Sequence, residues 1–237
     1  MTLQRRDLLF ACALSLPVLR IARAAEEMSR ILVVGDSQAQ GLAGGLQRQV
    51  RGDPSWRVID RSHIATGLCL PGRFDWPAAA AGIGEAERGA IAVVMFGAND
   101  RPSVRLDNRL DERLTASFVT SYGPRVRAIA EGLKRSCVSV IWVGHPIVRD
   151  PSFAEDMALL NRLYAEQCTV AGADWFPTWP LFVDAEGNYA PYGKGLDGQT
   201  TRLRADDGVH FTAAGYDLLA SALLPVIALY RPSGAHV

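Results

Sequence analysis

Lysine is almost missing from this chain: of 25 basic side chains among 237 residues, two are Lys, and the arginines are scattered instead of clustered. Against them stand 25 Asp and Glu. Neutral balance without a basic patch argues against a nucleic-acid binder, which needs concentrated positive charge to displace counterions from phosphates. Histidine is scarce as well, at four. No Cys-x-x-Cys pair or zinc-like His spacing occurs, which speaks against a structural metal site or a multi-histidine centre. Nucleotide-binding signatures are lacking too. The turn Gly35-Asp36-Ser37-Gln38-Ala39-Gln40-Gly41 has neither G-x-G-x-x-G nor a Walker lysine, and Asp36 would repel a pyrophosphate. What remains, 49% hydrophobic and 21% charged residues, is ordinary globular composition, and the length suits one α/β domain with a sizeable core.

Residues 1–24 hold Arg5, Arg6, Arg20 and Arg23 against Asp7, a local +3 that leaves the rest of the chain near −3. A basic start, Gln4-Arg5-Arg6-Asp7, leads into an apolar run from Leu8 to Leu19 and then Ala22-Arg23-Ala24. This reads as an export signal cleaved before Ala25, with adjacent arginines that resemble the twin-arginine type. The run falls short of the about 20 residues that a membrane span needs, and no later stretch is long and apolar enough. The expectation is a periplasmic or secreted protein made of one domain over 25–237. After cleavage three cysteines remain, Cys69, Cys137 and Cys168, enough for one disulfide and one thiol. Cys137 and Cys168 fall at the same end of a strand–helix unit, so they either bridge or stand as two separate small core residues.

Short apolar runs alternate with amphipathic stretches in the α/β rhythm. Strands are expected over Arg30–Val34, Trp56–Ser62, Ile91–Phe96, Val138–Val143 and Asp174–Phe176. Helices are expected over Gln38–Arg51, Trp76–Arg88, Tyr122–Ser136, Phe153–Ala171 and Thr212–Tyr230. Two stretches break the rhythm, the charged 101–117 and the Gly-, Tyr- and Asp-Gly-rich 178–206. Both read as long loops of the kind that wall ligand sites in open sheets.

Ser37 follows the first strand directly and opens the next helix, beside N–H groups that a helix start leaves unpaired. It can serve as a nucleophile whose own N–H steadies an oxyanion, or Asp36 and Ser37 can simply cap the helix. Near the other end stands Asp207-Gly208-Val209-His210. That separation across a turn lets a carboxylate polarise one imidazole nitrogen while the other faces a nucleophile, although Asp-Gly is also a common turn. Asn99 after the third strand and Gly67 after the second can offer oxyanion donors, and each can equally be just a turn residue. His63 and His145 lack the Asp-x-x-His arrangement and read as structural or substrate-lining. Asp36 and Asp100 read as loop braces. Asp184, Glu186 and Asn188 hint at calcium, but their spacing fails the twelve-residue loop and fits a hairpin turn better.

Taken in this order, Gly35-Asp36-Ser37, Gly67, Gly97-Ala98-Asn99-Asp100 and Asp207-Gly208-Val209-His210 resemble the SGNH, or GDSL, hydrolase family. The likeness extends over most of residues 30–230 and points to a bacterial exported subgroup. It implies a three-layer α/β/α sandwich with a five-stranded parallel sheet of flavodoxin-like type. It also implies Ser37, His210 and Asp207 as catalytic residues, Ser37, Gly67 and Asn99 as oxyanion donors with Gly72 as the alternative to Gly67, and no cofactor. Arg149, Arg204, Trp179, Tyr189 and Tyr192 fall on loops that should rim the site, where they would bind a sugar or plug a satellite core. The leading expectation is a serine esterase removing short acyl groups, chiefly acetyl, from cell-envelope glycans, since neither long loop is an apolar flap. A lipase, lysophospholipase, thioesterase or O-acyltransferase of the same fold stands behind it, and a non-catalytic glycan-binding assembly protein is the alternative of another class.

Overall fold

The computed structural model describes residues 28–101, 105–106 and 109–231. The expected export segment lies outside them. Five strands form one parallel sheet: β1 (Ser29–Gly35), β2 (Trp56–Ser62), β3 (Ile91–Met95), β6 (Ser139–Val143) and β7 (Asp174–Phe176). They lie side by side in the order β2-β1-β3-β6-β7. Two short antiparallel ribbons complete the strands, β4 (Arg105–Leu106) with β5 (Arg109–Leu110) and β8 (Tyr192–Lys194) with β9 (Thr200–Arg202). The central strands β3 and β6 are buried along their whole length, as expected of parallel strands covered on both faces.

Alternation along each strand divides the core in two. Leu32, Val34, Ala92, Val94, Val140 and Trp142 face helices α2 (Trp76–Ala86), α3 (Glu112–Lys134) and α4 (Pro151–Ala171). Ile31, Val33, Ile91, Val93, Ile141 and Val143 face α1 (Ser37–Gln49) and α5 (Ala213–Ala228). The result is the three-layer α/β/α sandwich with a five-stranded parallel sheet. Where α1 and α5 cross, Gly41 and Gly45 leave room for Tyr216: a Cβ on Gly41 would sit 2.0 Å from its ring, and one on Gly45 would sit 2.6 Å from its carbonyl oxygen.

The sequence reading departs from this fold at the third helix. α3 begins at Glu112, ten residues before the expected Tyr122. Asp111 caps it by accepting the Leu114 N–H at 2.9 Å. Of the charges that suggested a loop, Glu112 and Arg113 lie on the exposed face of this helix, whose other face packs Phe118, Val119 and Tyr122 against the core. Pro124 lies inside the helix. For the cysteines, the structure takes the second of the two alternatives left open. Cys137 and Cys168 are separate buried thiols and Cys69 is an exposed one, all free. Desolvation pushes the Cys137 thiol up to about 11 and Cys168 to about 12, as befits small core residues. Asp184, Glu186 and Asn188 close a hairpin turn: Asp184 Oδ1 accepts the N–H groups of Glu186 and Asn188 at 3.1 and 2.7 Å.

Candidate active site

The strand order reverses between β1 and β3, the place where an open α/β sheet leaves a crevice beyond its carboxyl ends. Ser37 leaves β1 there and Asn99 leaves β3. The chain can turn so sharply because of two glycines. Gly35 takes φ 148°, and a Cβ on it would lie 1.9 Å from the Met95 carbonyl oxygen. Gly97 takes φ 144° with a virtual Cβ 2.9 Å from the His145 ring. Both conformations are ones that side-chain-bearing residues rarely adopt.

Asp36 caps α1 through the Gln38 N–H, 2.9 Å from its Oδ1, so the Ser37 N–H is not consumed by the cap. The Ser37 hydroxyl lies 2.8 Å from His210 Nε2, and His210 Nδ1 lies 2.7 Å from Asp207 Oδ2. An ionised Asp207 requires the proton on Nδ1, which leaves the Nε2 lone pair to accept from Ser37. Desolvation pushes the Asp207 carboxyl up. It is outweighed by the Val209 N–H, the His210 ring and the His210 N–H, which together hold it down at about 2. The other carboxylate oxygen, Oδ1, accepts those two N–H groups at 2.8 and 2.9 Å, so the turn that carries the imidazole is wound around the carboxylate that orients it.

Behind Ser37 lie two buried carboxylates. Burial pushes Asp36 up to about 7, against the pull of the Gln38 N–H and with the help of the Asp100 charge. Its Oδ2 faces the Gly97 N–H at 3.3 Å and Asn99 Nδ2 at 3.5 Å. Asp100 accepts the Leu68 and Cys69 N–H groups at 2.8 and 2.7 Å and the Tyr122 hydroxyl at 2.8 Å. It thereby straps the segment after β2 to the end of β3. Asn99 Nδ2 donates to the Thr66 carbonyl oxygen at 2.8 Å, which brings its amide beside the Gly67 peptide. Gly67 fits because a Cβ there would stand 2.4 Å from Asp100 Oδ1, whereas Gly72 sits in an open turn with nothing within 4 Å.

The expected rim residues divide. Arg149, Trp179 and Tyr189 line a cavity of about 510 Å³ together with Ile147, Val148 and Ala158. Tyr192 stands exposed on the β8–β9 ribbon and is not among the lining residues. Arg204 is not on the rim at all. It is fully buried, donating to the carbonyl oxygens of Ile147, Val209 and His210 at 2.5, 2.9 and 3.4 Å, and desolvation lowers it to about 10. It fastens the His210 turn to the segment after β6.

His145 is buried and neutral, lowered to about 3 by desolvation, with Nδ1 on the Pro146 carbonyl oxygen. Asn161 clamps its backbone from both sides at 2.8 Å. His63 stacks on Phe74 with ring centroids 4.2 Å apart. Sequence reasoning missed Gln38: its Nε2 donates to the Val209 carbonyl oxygen at 3.0 Å and its Oε1 accepts the Tyr216 hydroxyl at 2.9 Å. A glutamine in a helical turn carries no local sign of partners more than 170 residues away. Among the described residues no helix is long and apolar enough to cross a membrane, and no group of three or more His, Cys, Asp or Glu is placed to hold a metal.

The DUF459 family model, described as "Protein of unknown function (DUF459)", matches residues 30–226. No curated protein matches the chain in sequence. Among solved structures, the acetylxylan esterase Axe2 from Geobacillus stearothermophilus is similar at 19% identity with a TM-score of 0.53, over 88% of this chain and 98% of that one. An extracellular lipase from Streptomyces rimosus is similar at 11% identity with a TM-score of 0.51, over 82% of this chain and 99% of that one. At such identities the likeness is one of fold, and the fold is the one expected from the SGNH resemblance.

Proposed function

The chain belongs to the DUF459 family, and we propose that it is an exported serine esterase that removes short acyl groups, chiefly acetyl, from cell-envelope glycans. The observation that carries this reading is the hydrogen-bonded chain Ser37–His210–Asp207 at the mouth of the sheet. Axe2, an acetylxylan esterase by name, and the Streptomyces lipase support the reaction class from the side of fold.

In the proposed reaction Ser37 Oγ attacks the ester carbonyl carbon while its proton passes to His210 Nε2. Asp207, held ionised, offsets the imidazolium that forms. The negative charge moves to the carbonyl oxygen, where the N–H groups of Ser37 and Gly67 and the Asn99 amide stabilise it. As the carbon–oxygen bond to the alcohol breaks, His210 gives its proton to the departing oxygen and an acyl-Ser37 ester remains. Water then gives His210 a proton as it attacks that ester, and the proton returns to Ser37 Oγ on release of the acid. These steps require no cofactor. Partners are acylated small molecules or glycans and not nucleic acid.

A fluorophosphonate probe tests the reading directly. It should label the parent protein at Ser37, while Ser37→Ala should be unlabelled and inert toward p-nitrophenyl acetate with a melting temperature within a few degrees of the parent. An unlabelled parent protein would leave a glycan-binding protein as the better reading. Export to the periplasm or medium rests on residues 1–24, and replacing Arg5 and Arg6 by Lys should block it if the route is the twin-arginine one.

A further inference from the structure

The 510 Å³ cavity flanks the turn that carries His210 and does not include Ser37 among its walls. Arg149 joins the two. Its backbone N–H donates to the Gly208 carbonyl oxygen at 3.0 Å, and its side chain lies so close along Gly208 that a Cβ there would meet it at 2.6 Å. In the esterase reading, His210 hands its proton to the leaving oxygen, so the alcohol part of the substrate lies on the His210 side of Ser37. The acyl oxygen lies on the side of Asn99 and Gly67. The cavity, beside the His210 turn, therefore lies on the side of the alcohol part of the ester.

Its walls specify a ligand. Trp179 has already spent its indole N–H on the His145 carbonyl oxygen at 2.9 Å, which leaves the ring face as the surface it can offer. Tyr189 stands beside it, with the guanidinium carbons of Arg204 and Arg149 at 4.9 and 5.9 Å from its ring centroid. Among the described residues neither guanidinium has a carboxylate partner. Arg204 is buried and satisfied by carbonyl oxygens. Arg149 is exposed, and its side chain makes one hydrogen bond, to the Asp206 carbonyl oxygen at 2.7 Å, so most of its five N–H donors remain open. Asp206 and Asp207 are committed to Arg202 and His210, and Glu155, the carboxylate among the lining residues, is itself engaged. Aromatic faces suit the C–H face of a sugar ring, and an open guanidinium at the edge of an apolar wall suits a carboxylate.

We propose that this cavity is the subsite for an acidic sugar in the alcohol part of the substrate, with Arg149 binding its carboxylate. The orientation rests on the esterase reading, but the site itself does not. A single charge-assisted contact predicts a difference of about ten-fold or more in affinity.

The test uses trigalacturonate and its fully methyl-esterified form, which share their rings and differ in charge, titrated calorimetrically into the intact Ser37→Ala protein. The acid should bind about ten-fold or more tightly than the ester, with the gap shrinking in high salt. It should collapse in Ser37→Ala/Arg149→Gln, whose folding is checked by its melting temperature. Equal affinities in Ser37→Ala, or a gap that survives loss of Arg149, overturn the proposal. So does tighter binding of octyl glucoside than of either, which would give the cavity to an alkyl chain. Turnover of p-nitrophenyl acetate by the parent protein is read separately. Turnover without charge preference strikes the subsite and spares the esterase reading, while charge-selective binding without turnover does the reverse.

Discussion

Asp100 is the group whose loss should expose most clearly how the site is held. Its two oxygens receive three donors, the N–H groups of Leu68 and Cys69 and the Tyr122 hydroxyl. Asp100→Asn keeps the shape and replaces one oxygen with an NH₂ group. If that group takes the place of Oδ2, it faces both Leu68 and Tyr122. If it takes the place of Oδ1, it faces Cys69 alone, and this is the cheaper choice. One bond to a charged acceptor is then lost, an N–H meets an N–H, and the two surviving bonds weaken as their acceptor becomes neutral. Against this, the buried carboxyl, which desolvation already pushes up, no longer has a charge to bury. The losses win, by about 2 kcal/mol on the scale of such bonds. Asp100→Ala removes both acceptor oxygens and with them all three bonds. Tyr122 can turn to Tyr164, 3.0 Å away, and exposed Cys69 can reach water, but the N–H of buried Leu68 is orphaned, for a total of about 3–5 kcal/mol. Urea unfolding gives both values. A loosened strap also displaces Gly67, so turnover of p-nitrophenyl acetate should fall on the order of 10-fold in Asp100→Asn. Stability within about 0.5 kcal/mol of the parent would refute the strap. Lost stability with unchanged turnover would remove Gly67 from the oxyanion role.

Three further outcomes are expected. Gly67→Ala drives a methyl group into Asp100 and should cost on the order of 10²-fold in turnover, while Gly72→Ala, with open space around it, should cost nothing; the reverse would exchange the two glycines. Asp36, raised in the folded state from 3.8 to about 7, contributes stability that is present below pH 4 and lost as pH rises through 7, whereas His145, depressed from 6.5 to about 3, contributes stability that is lost as pH falls from 6.5 toward 3. The two slopes oppose each other, so Asp36→Asn should gain on the parent by up to about 4 kcal/mol between pH 4 and pH 7, and parallel urea-unfolding profiles for the two proteins would contradict this. On p-nitrophenyl esters kcat/KM should fall from acetyl through butyryl to octanoyl; a peak at octanoyl would move the reading to a lipase or thioesterase.

What could be read from the residues was whatever is written locally. Continuous apolar runs such as Ile91–Met95 announce a strand covered on both faces, and Asp207 and His210 meet across a turn that three residues define. The reading failed where one signature serves two structures. The stretch from Glu112 to Ser121, polar residues mixed with apolar ones, looks the same as a loop or as the start of an amphipathic helix, and packing of Phe118 and Val119 on the core decides. It failed again where the partners are remote. Arg204, beside Asp206 and Asp207, has the surroundings of a surface residue, yet a partner that buries it is the Ile147 carbonyl oxygen, 57 positions away. Gln38 is hidden from sequence for the same reason. The cavity could not be foreseen because α4 supplies part of its wall from residues that look like an ordinary helix face.

The crossing of α1 and α5 has a consequence for how the protein is made. Ser37 is synthesised 173 positions before His210, and the helix that follows His210 comes after every other described element of the chain. While a ribosome is still adding the intervening residues, the sheet and its earlier helices can assemble, but the serine has no imidazole within reach. The Tyr216 ring over Gly41 and its hydroxyl on Gln38 then join Gln38 Nε2 and Arg204, both bound to the Val209 carbonyl oxygen, in holding the 207–210 turn against α1. A nascent or truncated chain that ends before His210 therefore carries the serine without its base and is chemically silent.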